Sequence, residues 1–311
     1  MTSTNQSNAP LSLAGADLSD SDLSKSVFSH SELEDVNLQN ADLSDCQFST
    51  SSMRSIAIAG ANLTGSGFTD VDLSGTKFDN VILTGTVFEE SNLVNTDFSK
   101  AKVSQAQFIT SDLTGVNFEG ADCYDSKVIA SKLIGATLSN ANFKNSDFNK
   151  SKIENSVCFD VVFTNSFMNG LVVKETNLTG CDFSEADLVK ASLDTVDMVG
   201  ATFNGATLKE TSMVEVNGKH TSFNEADLTT TTFADSGFDD AKFIKSTLKN
   251  AVFERVVLRG VDFTGADLDG ALFKECDVEG AVFNGVDLSN VEFIETDISK
   301  ADTAKALPSV K

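Results

Sequence analysis

Two histidines, five cysteines and a recurring aspartate are the residues of this chain with chemistry to offer. Catalysis needs such groups to converge in a pocket. His30 stands near the start of the chain and His220 in its last third, and a repeating architecture keeps them out of one site. No two of Cys46, Cys123, Cys158, Cys181 and Cys276 stand at a metal-ligand spacing. Their odd number also argues against a disulfide framework. Asp17, Asp42, Asp122, Asp187, Asp227, Asp267 and Asp287 each occupy the same place in a repeating pattern, which makes them parts of the repeat. The chain is therefore expected to be a non-enzyme, with no catalytic, cofactor-binding or metal-binding residues.

The element that must position these aspartates is a five-residue unit. With Ala16-Asp17-Leu18-Ser19-Asp20 as template and Leu18 as its centre, steps of five from Leu13 to Ile298 give (298 − 13)/5 + 1 = 58 centres. Every centre but Gly218 is Leu, Phe, Ile, Val, Met or Cys. Two residues earlier stands Ala, Ser, Thr, Val or Cys in 55 of the 58, with Leu11, Ile56 and Leu171 departing. So strict a period marks a repeat architecture with one large and one small side chain of each unit pointing inward.

Five fits neither the helix period of 3.6 nor the strand period of 2. A five-residue side that turns a corner fits, and four such sides make a square coil. The centres confirm the longer period, because like follows like at every fourth unit. One column runs from Phe143 to Phe283 and another from Phe28 to Phe108 before it turns to leucine at Leu188. The Phe and Leu columns trade places along the tower, as a narrow interior of constant volume demands. Seventeen of the 20 glycines fall two residues after a centre, at the corner. The one core break, Gly218, is either a kink or recognition spot or a core defect filled by Phe223 and Phe238.

The units Ala16-Asp17-Leu18-Ser19-Asp20, Ala41-Asp42-Leu43-Ser44-Asp45, Ala61-Asn62-Leu63-Thr64-Gly65 and Ala266-Asp267-Leu268-Asp269-Gly270 resemble the A(D/N)LXX repeats of pentapeptide-repeat proteins. The resemblance covers 290 of 311 residues. It implies an all-β fold, a right-handed quadrilateral β-helix of about 14.5 coils. At about 4.8 Å per coil the rod is roughly 70 Å long. The expected organisation is a disordered tail over 1–10, the β-helix over 11–300 and a short tail over 301–311. Pro10 and Pro308, the only prolines, flank the repeats as stops for the ladder.

No apolar run reaches the roughly 18 residues that a membrane-spanning helix needs, so none is expected. Nor does the N-terminus show a basic segment followed by an apolar one, the mark of a secretory signal. Buried, reduced cysteines fit a cytoplasmic protein.

Formal net charge is −23, spread as −10, −5 and −8 over residues 1–100, 101–200 and 201–311. Such a rod disfavours direct contact with nucleic acid or acidic membranes and attracts basic surfaces. The resemblance makes that specific. Quinolone-resistance (Qnr-type) and mycobacterial fluoroquinolone-resistance members are acidic rods similar to B-DNA that bind DNA gyrase or topoisomerase IV. It implies a protein partner with a basic surface, DNA gyrase foremost. No functional residue of the family carries over, and the outward aspartates Asp17, Asp42, Asp187, Asp227, Asp267 and Asp287 of this chain are the candidate mimics of phosphate. Charge density is a weaker match, since B-DNA carries about 40 charges over roughly 70 Å. The unbroken register also leaves no room for the projecting loops of Qnr-type proteins, and the C-terminus is too short for a dimerising helix.

A second surface feature competes with that reading. Val157, Val162, Phe167 and Val172 occupy outward positions on four successive sides, with Phe159 beside them. An exposed apolar belt often marks a contact surface, so these five are candidates for an interface with a partner or a second copy. Lys127, Lys132, Lys144, Lys150 and Lys152 form the one notable basic cluster, either a solvated patch or a rim to that interface. On this reading the protein is a structural scaffold or adaptor.

Overall fold

A computed structural model describes residues 11–307; Pro10, Pro308 and the expected 1–10 tail lie outside them. The chain is a right-handed quadrilateral β-helix, and one unit explains its construction. In Ala41-Asp42-Leu43-Ser44-Asp45, Ala41 and Leu43 are buried, while Asp42 and Ser44 look outward. Asp45 turns the corner with φ +57°. The Leu43 N–H donates to Asn62 O at 2.8 Å in the coil above. The Asp42 N–H donates to Ser21 O at 2.9 Å in the coil below. Repeated throughout, these bonds form a parallel ladder that pairs residue n with n + 20, as in Phe28 with Phe48.

The interior is a stack of rings. Phe28 and Phe48 lie 4.9 Å apart at 6°, and Phe183 and Phe203 4.7 Å apart at 4°. Residues ten apart come from opposite sides and meet edge to face, as Phe253 and Phe263 do at 6.2 Å and 85°. Offset or T-shaped contacts of this kind are the favoured aromatic geometries.

The trade between columns is a quarter turn of the whole pattern. Strands β1 (Val27–Ser29) to β6 (Lys127–Ile129) form a six-stranded sheet on one side. Strands β7 (Lys132–Ile134) to β15 (Glu292–Ile294) form a nine-stranded sheet on the adjacent side. The change falls within one coil, where β6 and β7 follow each other around the corner at Ala130. Below it, stacked rings occupy the side of Phe28 and the opposite side of Phe78, Phe98 and Phe118. Above it they occupy the side of Phe233 and the opposite side of Phe143 and Phe163.

Buried hydroxyls follow the strands around that corner. After a turn-type side the next N–H closes back on its own coil, as Ala61 N does on Ile58 O at 3.1 Å. After a strand-type side that bond is missing, and where Ser or Thr stands one coil up its hydroxyl replaces it. Ser111 N donates to Ser131 Oγ at 3.1 Å, and Ser131 N to Ser151 Oγ at 3.0 Å. Beyond the quarter turn the same service comes from Ser156 to Ala136 N and from Ser236 to Val216 N.

The helix loosens at its C-terminal end. Gly270 N bonds Asn290 O, and Gly285 N bonds Lys305 O, one residue later than the n + 19 rule elsewhere. A 3₁₀ turn at Ile298–Lys300 takes up the slack. The regular part from Leu13 to Leu288 thus holds (288 − 13)/20 = 13.75 turns. Asp302 still pairs with Val282 and Leu307 with Asp287, so residues 301–307 stay on the tower.

Candidate functional site

The motif aspartates are clamps for the corners. Asp17 Oδ1 accepts from Ser19 N at 3.1 Å, Asp42 from Ser44 N at 3.0 Å and Asp287 from Ser289 N at 2.9 Å. Asp187, Asp227 and Asp267 hold Val189 N, Thr229 N and Asp269 N in the same way. A side-chain oxygen bonding the backbone two residues on is the Asx turn, which explains why Asp or Asn precedes the centre. Hydrogen bonds from Ser19 and Ser44 hold the Asp17 and Asp42 carboxyls below the usual carboxylate range. Burial pushes Asp227 up, but bonds from Thr229 and Lys209 outweigh it and leave the carboxyl lowered.

The six lie on three sides. Asp187, Asp227, Asp267 and Asp287 differ by multiples of 20 and share one side, whereas Asp17 and Asp42 occupy two others. On the shared side the charge is interrupted. Lys209 Nζ lies 2.9 Å from Asp227, and Lys249 Nζ 3.2 Å from Asp267. Further ion pairs link rungs elsewhere, centred on Arg255, which contacts Asp235 at 2.6 Å and Glu254 at 2.6 Å. Lys274 reaches the same Glu254 at 2.9 Å. Arg255–Asp235 and Lys274–Glu254 follow the 20-residue register, whereas Lys209–Asp227 and Lys249–Asp267, 18 residues apart, fall outside a reading in steps of five.

The apolar belt does not form one patch. Val157 pairs in register with Thr137 and Asn177, and Phe167 with Asp147 and Asp187, so each has polar neighbours along its own column. Centres 158 and 168 lie on opposite sides of one coil, which separates Phe159 (41% exposed) from Phe167 (54% exposed). Val162 and Val172 look in the two remaining directions and are half-buried. No flat partner touches Phe159 and Phe167 together. Phe238 settles the place of Gly218 instead, because its ring lies in the space a side chain there would need.

Among the described residues no three His, Cys, Asp or Glu side chains converge on a metal position. The five cysteines are free and buried, and desolvation pushes the Cys123 and Cys158 thiols well up. The concavities are open grooves between outward side chains. One of about 420 Å³ is lined by Arg54, Asp70, Asp72 and Glu90, with Arg54 already paired to Glu34 and Asp72. No helix among the described residues is long and apolar enough to cross a membrane.

The sequence matches the profile of the pentapeptide repeat region over residues 61–138, 187–263 and 226–303. It matches that of pentapeptide repeats (eight copies) over 12–54, 121–157 and 156–194. No curated protein sequence matches. Among solved structures, the chain is similar to QnrB1, a plasmid-mediated fluoroquinolone resistance protein, at 16% identity and a TM-score of 0.37 over 75% of this chain and 90% of that one. It is also similar to HetL from the cyanobacterium Nostoc, a pentapeptide repeat protein involved in heterocyst differentiation regulation. That likeness has 19% identity and a TM-score of 0.21 over 87% of this chain and 88% of the other. Neither likeness bears on a partner.

Proposed function

The chain belongs to the pentapeptide-repeat family, and on that footing we propose that it is a non-enzymatic, protein-binding rod of the cytoplasm. Its acidic surface takes the place of B-DNA on a type II topoisomerase, DNA gyrase foremost, and modulates the enzyme or protects it from inhibitors. The observation that carries this reading is the column of Asp187, Asp227, Asp267 and Asp287 on one side of an uninterrupted tower. Rungs about 4.8 Å apart space these carboxylates over roughly 24 Å. A basic cleft built for phosphates is the complementary surface.

A second reading, a scaffold or adaptor subunit, is favoured by the lysines set into that column. Lys209 and Lys249 occupy Asp227 and Asp267 and lower the density of free negative charge.

A supercoiling assay with bacterial gyrase, titrated with this protein in the presence and absence of a fluoroquinolone, separates the two. Inhibition, or rescue from the drug, that weakens steeply with added salt supports the mimic. No effect from folded protein at any salt leaves the scaffold.

A further inference from the structure

The five-lysine cluster is the place where this acidic rod reverses sign. Residues 126–153 hold five lysines and one acid, Asp147, a net of +4 in a chain of net −23. The quarter turn gathers four of the five at one edge. Lys127 opens β6, Lys132 opens β7 just around the corner, and Lys152 is the register partner of Lys132. Lys150 is the corner residue one coil above Ala130, and its Cγ lies 4.0 Å from where a Cβ on Gly170 would be.

Three properties set this edge apart from a solvated face. Like charges directly opposite on neighbouring strands are unfavourable, yet Lys132 and Lys152 are so placed. None of the four lysines enters an ion pair among the described residues, although acids outnumber bases 46 to 23 and nine other lysines and arginines are paired. Apolar side chains interleave with them: Ile129 and Ile134 close the two strands, and Val172 follows Lys152 in register. Phe167, more than half exposed, stands two rungs above Lys127.

We propose that this edge is a docking site for an extended acidic segment of a partner protein, one that alternates carboxylates with large apolar residues. The carboxylates would meet the four lysines and the apolar residues would cover Phe167 and the isoleucines. Charge complementarity favours this occupant over longer polyanions. DNA or an acidic membrane must approach the remainder of the rod, which carries −23 − 4 = −27 and repels them. A short segment meets chiefly the lysines, with Asp112 and Asp147 as the register partners of Lys132 and Lys127 and Glu154 beside Lys152. The site abuts the acidic column, since Phe167 is the register partner of Asp187, but its argument rests on the lysines and does not use the topoisomerase reading.

The test is fluorescence anisotropy with a labelled twelve-residue peptide of four Glu-Glu-Phe units. The expected result is saturable binding at about 100 µM or tighter in low salt. Lys132→Glu with Lys152→Glu should weaken it by on the order of tenfold or more, and Phe167→Ser should weaken it severalfold. Lys242→Glu with Lys245→Glu, placed on another side, should leave it unchanged, with far-UV circular dichroism confirming that each variant is folded. No binding at any tested concentration, or equal loss in the control variant, overturns the proposal. So does tighter binding of a twelve-base oligonucleotide or of phosphatidylserine vesicles. Self-association of the protein that vanishes in Lys132→Glu/Lys152→Glu would overturn it too, by assigning the edge to a second copy.

Discussion

The ring of Phe238 occupies the place of the side chain that Gly218 lacks: a Cβ added to Gly218 would stand 2.3 Å from two ring atoms. The two are successive residues of one core column, and the ring also packs edge-on to Phe233 at 5.3 Å and 89°. The break in the pattern is a large–small exchange along the tower axis, which keeps the packed volume constant. Gly218→Leu should cost about 1–3 kcal/mol by overpacking. Combined with Phe238→Leu, which restores leucine over leucine, it should cost less than the sum of the single changes by about 1 kcal/mol or more. Urea unfolding of the four proteins checks this, and strict additivity would mean that the two side chains do not share the space.

The buried serine ladder makes a separate prediction. Ser131 Oγ accepts from Ser111 N and donates to Phe108 O at 3.1 Å. Ser131→Ala leaves the Ser111 N–H buried without a partner, at a cost of about 1–3 kcal/mol. Ser246 is equally buried, but its hydroxyl bonds Phe243 O, and no N–H depends on it. Ser246→Ala should therefore cost distinctly less in the same unfolding experiment, and equal losses would show that the ladder has no special role.

The short period and its fourfold multiple are legible in the chain because every centre but Gly218 is apolar and most rings sit on another ring 20 residues away. The quarter turn at Ala130 is not, since both kinds of side obey the same five-residue rule. Its signal lies in the small positions. Serine recurs at Ser91, Ser111, Ser131 and Ser151, and the hydroxyls then move one unit on, to Ser156 and Thr176. That move records which corners lack a local partner for their N–H. The clamp role of Asp42 is legible only as recurrence, because its meaning depends on a bond to Ser44 N. The belt from Val157 to Val172 looks continuous along the chain, yet a coil sends successive sides in four directions. At the C-terminal end the pentapeptide pattern continues while the corner bonds from Gly270, Gly280 and Gly285 slip by one residue, and nothing in the pattern of centres marks the slip.

Acid should weaken the upper half of the tower through the Arg255 network. The bond from Arg255 holds Asp235 below the usual carboxylate range, and bonds from Lys274 and Arg255 do the same for Glu254. A carboxyl lowered in the folded state adds stability at pH above its unfolded value, about 4. That stability is lost as pH falls from about 4 through the folded value. Arg255→Ala should remove part of this acid-dependent loss. Melting temperature measured between pH 7 and pH 3, in low and high salt, checks it: an acid limb identical in the two proteins would assign the effect to other carboxyls.

The shared column of aspartates lets a corner clamp be separated from a phosphate mimic. Each carboxylate both accepts a backbone N–H, as Asp187 does from Val189 at 3.2 Å, and presents a charge to the outside. Asparagine retains an acceptor oxygen and discards the charge, and the motif itself accepts it, since Asn177 holds Thr179 N at 2.9 Å. Changing Asp187, Asp227, Asp267 and Asp287 together to Asn should therefore leave the fold nearly as stable, because the ion pairs of Lys209 and Lys249 contribute little at exposed sites. The four alanine changes remove the clamps as well, and should lower the melting temperature distinctly further by taking a hydrogen bond from each of four corners. If the column binds a basic cleft, the asparagine variant should lose gyrase inhibition and most of its salt dependence while melting close to the parent. Inhibition that survives the asparagine changes but falls in Lys132→Glu/Lys152→Glu would move the functional surface from the acidic column to the lysine edge.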